Sequence, residues 1–132
     1  MASGYSGTPQ LTKLGIAPGV RLLVVGAPEG WAFEAEPVGT REVAPDAPVD
    51  VVLAFCRSAA DVERHVTALE ERIRPAGALW IAWPRKAAGH VSDVTENLLR
   101  DVALPRGLVD VKVAAIDADW SGLKLVWRRE NR

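Results

Sequence analysis

A single cysteine among 132 residues, Cys56, excludes an intramolecular disulfide. The only histidines, His65 and His90, sit in unrelated segments, so no zinc site or other metal is implied, and no cofactor is expected. Long apolar runs are missing as well. The longest, Val49 to Cys56 with Asp50 inside it and Gly77 to Trp83, are far too short to span a bilayer. The start, Met1-Ala2-Ser3-Gly4, lacks a basic region followed by an apolar one, so a cytoplasmic location is expected. Charge of one sign is also lacking. With 16 basic and 17 acidic residues the formal net charge is -1, which gives no global field to attract nucleic acid or an anionic membrane. No internal repeat or low-complexity segment interrupts the chain. Its length suits one domain with one real core.

Regular punctuation divides what is there. Thr8-Pro9 offers an N-cap followed by proline at the first helical position, leading through Leu11 and Leu14 to a stop at Gly15. Pro18-Gly19 turns into a first strand, Arg21 to Gly26, whose near-continuous apolar run predicts burial in a parallel sheet. The segment Trp31 to Pro48 holds several prolines and little periodicity, with only Gly39 to Val43 resembling a short edge strand. Asp50 to Phe55 is the next buried strand. Ser58 then caps a helix on which Val62, Val66, Leu69 and Ile73 recur on one face until Pro75 and Gly77. Ala78 to Trp83 is a third buried strand. Ser92 opens a second helix, with Val94, Leu98, Leu99 and Val102 on one face, ended by Leu104-Pro105-Arg106-Gly107. Leu108 to Ile116 and Leu123 to Trp127 are strands joined by a connection too short for a crossover helix, which predicts an antiparallel hairpin. In the first of these, Leu108, Asp110 and Lys112 alternate with Val109, Val111 and Val113. The expected architecture is a three-layer α/β domain of Rossmann-like type, with a mostly parallel sheet closed by a C-terminal antiparallel hairpin.

Ligands of open parallel sheets bind outside the carboxyl ends of the strands. That rule gathers Gly26 to Gly30, Arg57-Ser58 and Trp83 to Lys86, and a last strand antiparallel to the one ending at Trp83 adds Asp119, Trp120 and Ser121. The candidate rim is therefore Gly26, Glu29, Arg57, Ser58, Trp83, Arg85, Lys86, Ser92, Trp120 and Ser121, with Tyr5 of the amino-terminal arm either docked over it or part of a disordered tail. On one reading it has an aromatic wall, basic side chains from Arg85 and Lys86, and an anion site at the helix start, Ser92. On the other, Arg85 and Lys86 are solvated or pair with Asp117 and Asp119. The loop Gly26-Ala27-Pro28-Glu29-Gly30 is a poor phosphate cradle, because proline removes an N–H donor and glutamate puts negative charge where an anion would sit. Cys56, at the end of a buried strand, has no His or Asp partner placed by sequence and reads as a small hydrophobe. His65 reads as a partly exposed helix residue and His90 as a loop residue.

Ile16-Ala17-Pro18-Gly19-Val20-Arg21-Leu22-Leu23-Val24-Val25-Gly26 resembles the lead-in and first strand of class I S-adenosylmethionine-dependent methyltransferases. Val49-Asp50-Val51-Val52-Leu53-Ala54-Phe55 resembles that family's fourth strand, and Ile73-Arg74-Pro75-Ala76-Gly77-Ala78-Leu79-Trp80-Ile81 its following turn and fifth strand. Gly4-Tyr5-Ser6-Gly7-Thr8-Pro9, Trp80-Ile81-Ala82-Trp83-Pro84-Arg85-Lys86 and Trp120-Ser121-Gly122-Leu123-Lys124 resemble the signatures of a short bacterial family known only as a domain of unknown function. The resemblance implies a methyltransferase-like fold and no activity. Pro28, Pro37, Pro45 and Pro48 leave no stretch for a full crossover helix, and Asp46, at the distance of a ribose-binding acid from Gly26, reads as a loop carboxylate. The expectation is a non-catalytic binding or interaction module whose partner is a protein or a small anionic ligand; the alternative is a divergent S-adenosylmethionine-dependent methyltransferase acting on a small molecule.

Overall fold

The computed structural model describes residues 8–132, so the reading of Tyr5 and its arm lies outside the described residues. Five strands form one mixed sheet in the order β1-β2-β3-β5-β4: β1 (Leu22–Val25), β2 (Val51–Phe55), β3 (Ala78–Pro84), β4 (Leu108–Ala115) and β5 (Trp120–Trp127). The first three pair in parallel, while β5 runs antiparallel to both β3 and β4, so the closing hairpin belongs to the main sheet. Every residue of β2 is buried and so is β3 up to Trp83. Both strands are covered on two faces, which is why they read as unbroken apolar runs.

Helices α2 (Ala59–Leu69) and α3 (Glu96–Ala103) cover one face. There Val62, Val66 and Leu69 meet Leu99 and Ala103 over Val52, Leu79, Leu123 and Leu125. Ser58 caps α2 as expected, its hydroxyl accepting from Asp61 N at 3.2 Å. The helix stops at Leu69, earlier than the apolar spacing suggested, and Ile73 is buried in the turns that follow. Ser92 does not open α3. The cap is Thr95, whose hydroxyl accepts from Leu98 N at 3.1 Å, a contact worth about 1 kcal/mol. Ser92 instead donates to Arg57 O at 2.9 Å and accepts from Val94 N at 3.1 Å.

Among the described residues the other face has one short helix, α1 (Gln10–Leu14), plus irregular chain. Its N-cap position is Pro9, with no side-chain cap, rather than Thr8. Residues 27–48 contain no helix or strand, and Gly39 to Val43 makes only one isolated bridge, Arg21 to Arg41. This segment wraps the β1 edge, placing Trp31 and Phe33 against one face and Val43 against the other. The Arg21 guanidinium grips Asp50 at 2.8 and 3.1 Å beside it, holding that carboxyl below the usual carboxylate range. Gly122 is small of necessity, since a Cβ there would lie 2.5 Å from Ile116 and 3.2 Å from Trp80.

The expected alternation along β4 holds only at its start. A bulge between Asp110 and Lys112 puts Lys112 opposite Lys124, while Val113 lies opposite Leu123 of the helix-covered core. Lys112 thus leaves the face of Leu108 and Asp110. Strand β5 begins at Trp120, three residues before the expected Leu123. Among the described residues no helix is long and apolar enough to cross a membrane, and no group of three His, Cys, Asp or Glu could hold a metal ion.

Candidate functional site

The carboxyl ends of β1, β2 and β3 and the start of β5 meet around a cleft of about 480 Å³. Pro28 contributes from the loop after β1, Arg57 from the end of β2, Pro84 from the end of β3, and His90 and Val91 from the following loop. Asp119 and Trp120 close it from the hairpin. Gly26 lets the chain turn out of β1 towards Pro28: its φ is +71°, and an added Cβ would sit 3.0 Å from Phe55 O.

The hairpin turn is heavily tied. Asp117 Oδ1 accepts from the N–H groups of Asp119 and Trp120 at 2.8 and 2.9 Å, and its Oδ2 accepts from the Trp31 indole at 2.9 Å. Arg85 donates to the carbonyls of Asp117 and Ala118, each at 3.3 Å, and Arg85 N donates to Asp119 O at 2.8 Å. Trp120 is 8% exposed and packs edge-on against Phe55, with ring centroids 4.9 Å apart. The Arg57 guanidinium lies 5.4 Å from the Trp120 ring centroid and makes no ion pair among the described residues. His90 Nε2 and Asp119 Oδ1 are 3.0 Å apart, joining the loop after β3 to the hairpin.

The start of α2 is already occupied by the protein's own acids. Asp93 accepts from Ala59 N at 3.0 Å, and Asp61 accepts from Arg57 N at 2.9 Å, which lowers the Asp61 pKa. Helix N-termini attract anions through unsatisfied N–H groups, and these carboxylates supply the anion internally. Cys56 is fully buried, its thiol pushed up to about 12 by desolvation, so it holds no thiolate near neutrality. His65 is 9% exposed, not a partly exposed helix residue, and its Nε2 lies 3.5 Å from the position of a Gly26 Cβ. Burial, and secondarily the Arg64 charge, lower its pKa.

Of the residues expected at the rim, Arg57 and Trp120 line the cleft. Gly26 forms the turn out of β1 and is not among the lining residues. Trp83 belongs to the core beneath α2 and α3, and Ser121 pairs with it across the sheet. Ser58 and Ser92 serve as local caps and ties, Arg85 staples the hairpin turn, and Glu29 and Lys86 are exposed beyond the lining. The anion site expected at Ser92 is overturned, since no helix begins there. His90, Val91, Pro28 and Pro84 are lining residues that the rim reading did not include. The signal for His90 was its place in the loop after β3; nothing in the sequence placed it against Asp119.

No family model matches the chain, and no curated protein matches it in sequence. In structure it is similar to a SAM-dependent methyltransferase from Aquifex aeolicus, with a TM-score of 0.58 at 13% identity over 87% of this chain and 86% of that one. It is also similar to a protein of the NADB-Rossmann superfamily from Streptococcus agalactiae, with a TM-score of 0.51 at 12% identity over 96% of this chain and 70% of that one. These likenesses define a Rossmann-like, methyltransferase-like α/β domain, and at such identities they establish the fold alone.

Proposed function

We propose that this chain is a non-catalytic binding module whose strand-end cleft holds a small ligand carrying a carboxylate or phosphate. One observation carries the reading: Arg57 presents a guanidinium, without an ion pair among the described residues, over the Trp120 ring inside the cleft. A planar cation stacked on an aromatic face keeps its donors free for a bidentate anion, and the Pro28, Pro84 and Val91 walls suit an apolar ligand body. Support for a non-catalytic role comes from the neutral buried thiol of Cys56 and from the β1 loop, where Pro28 lacks an N–H and Glu29 adds negative charge. The resemblance to a short bacterial family of unknown function fits this reading and adds no chemistry to it.

The second reading, a divergent methyltransferase using S-adenosylmethionine, is favoured by the cleft's position at the carboxyl ends of the parallel strands in a fold shared with a SAM-dependent methyltransferase. Calorimetry separates the two. The module should bind phenyl phosphate saturably, lose that binding on Arg57→Ala, and show no S-adenosylmethionine affinity tighter than about 50 micromolar, roughly 6 kcal/mol. Tighter cofactor binding, or phenyl phosphate binding indifferent to Arg57, overturns the proposal.

A further inference from the structure

A second cavity, of about 440 Å³, opens where the 27–48 segment crosses β1; Ala27 lines it, whereas the next residue, Pro28, lines the cleft. Its walls are Val24, Trp31, Phe33 and Pro37, and Glu36 stands among them. The two rings form a corner, with centroids 4.8 Å apart and planes inclined at 71°. That corner is built before any ligand arrives. Trp31 is held from behind by its hydrogen bond to Asp117 and its edge contact with Phe55, 4.9 Å between centroids. The backbone after Phe33 is fixed by Glu34 N, which donates to Gln10 Oε1 at 2.8 Å. Preorganisation of this kind removes an ordering cost from binding.

The charge of the cavity differs from that of the cleft, which holds Arg57 together with Asp119, whereas Glu36 is the one charged residue lining the cavity among the described residues. Glu36 is exposed and makes no hydrogen bond or ion pair through its carboxylate among the described residues. Around it, Ala27 to Pro48 carries five acidic residues against Arg41 alone, in a chain whose net charge is -1. Aromatic faces carry negative quadrupole density, so rings beside an unpaired carboxylate favour a cation over a neutral or anionic group of the same shape. We infer that this cavity binds a small organic ammonium with an apolar body, its ring or chain against Trp31, Phe33 and Pro37 and its ammonium on Glu36. The site is separate from the strand-end cleft and does not depend on what the cleft binds.

The test is a set of ¹H–¹⁵N titrations of the whole chain with 2-phenylethylammonium, with 2-phenylethanol as neutral isostere and 3-phenylpropionate as anion. The Trp31 indole resonance is assigned from Trp31→Phe. The ammonium should saturably shift that resonance and the amides of Ala32 to Glu36, and should bind roughly two- to fivefold more tightly than the alcohol, as an exposed ion pair allows. The propionate should bind more weakly than either. Glu36→Gln should erase the preference for the ammonium while leaving alcohol binding and the melting curve unchanged, because the side chain is exposed. Equal binding of ammonium and alcohol, a preference that survives Glu36→Gln, or shifts confined to Trp120 and His90 would each overturn the assignment, as would no saturable shift at Trp31.

Discussion

The two faces of the sheet are covered by different means. On one, α2 and α3 lay apolar positions at helical spacing over the strands, and Val62, Val66, Leu99 and Ala103 are fully buried. On the other, a five-residue helix and the irregular 27–48 segment do the same work, and Trp31 and Phe33 of that segment continue a chain of edge contacts with Phe55 and Trp120 of the sheet itself. Helices close a surface continuously because each turn repeats the same apolar stripe. A loop covers by points, wherever a ring lands, and leaves space between them. Trp31 and Phe33 remain half-buried and line a cavity. The cleft likewise borders this face through Trp120. Regular cover leaves no gaps, and irregular cover leaves cavities.

Substitutions can test that division. The largest effect is expected from deleting Leu123 to Arg132, which removes most of the strand that both faces share. Leu123, Leu125 and Trp127 are buried beneath the helices, and β3 and β4 would lose the pairing that residues 123–127 make between them. No cooperative melt should remain, and a truncated chain melting near the intact one would show that the hairpin is an appendage. Leu99→Ala comes next. At 0% exposure it should cost about 3 kcal/mol in denaturant unfolding, the usual range for a fully buried leucine. Phe33→Ala, on the loop-covered face, should cost only about 1 kcal/mol, because the ring is half-buried already. Equal losses at Leu99 and Phe33 would mean that the two faces are packed alike.

The smallest effect concerns His65, which links the helical side to the turn at Gly26. Its pKa is lowered in the fold, mainly by burial, with Arg64 adding to the effect and Asp61 opposing it. The unfolded chain therefore takes up the proton first, and stability that is complete above about pH 6.5 should decline as pH falls towards the folded pKa. Melting temperatures measured between neutral and mildly acidic pH should show this decline, and His65→Gln should flatten it. An unchanged slope in that variant would place the proton uptake elsewhere.

Much of this arrangement was legible in residue order. The runs Val51 to Phe55 and Ala78 to Trp83 announce strands buried on both sides, and the short link before β5 forces an antiparallel return. Arg57 and Trp120 were also readable as rim residues, since both lie at strand ends. Other features had rivals that local pattern cannot rank. Ser92 and Thr95 are both good caps, and Thr95 caps α3 while Ser92 is used by the Arg57 carbonyl, a partner 35 residues away. The β4 bulge is equally hidden, because the alternation of Val109, Val111 and Val113 with Asp110 and Lys112 runs through it unbroken while the pairing turns Lys112 to the other face.

Alternation and punctuation, being local, were enough to specify the five strands, the two longer helices and the mostly irregular course of residues 31–48, though not that Gly39 to Val43 would make a single bridge in place of a short strand. Which tryptophan would line the cleft was a matter of register. Trp83 pairs with Ser121 on the helix-covered side, and Trp120 pairs with Pro84 on the loop-covered side. Contacts such as Arg57 on Trp120, His90 with Asp119 and Trp31 on Asp117 join positions 63, 29 and 86 residues apart. No spacing rule reaches that far, because such contacts depend on how separate elements are brought together by burying their apolar faces.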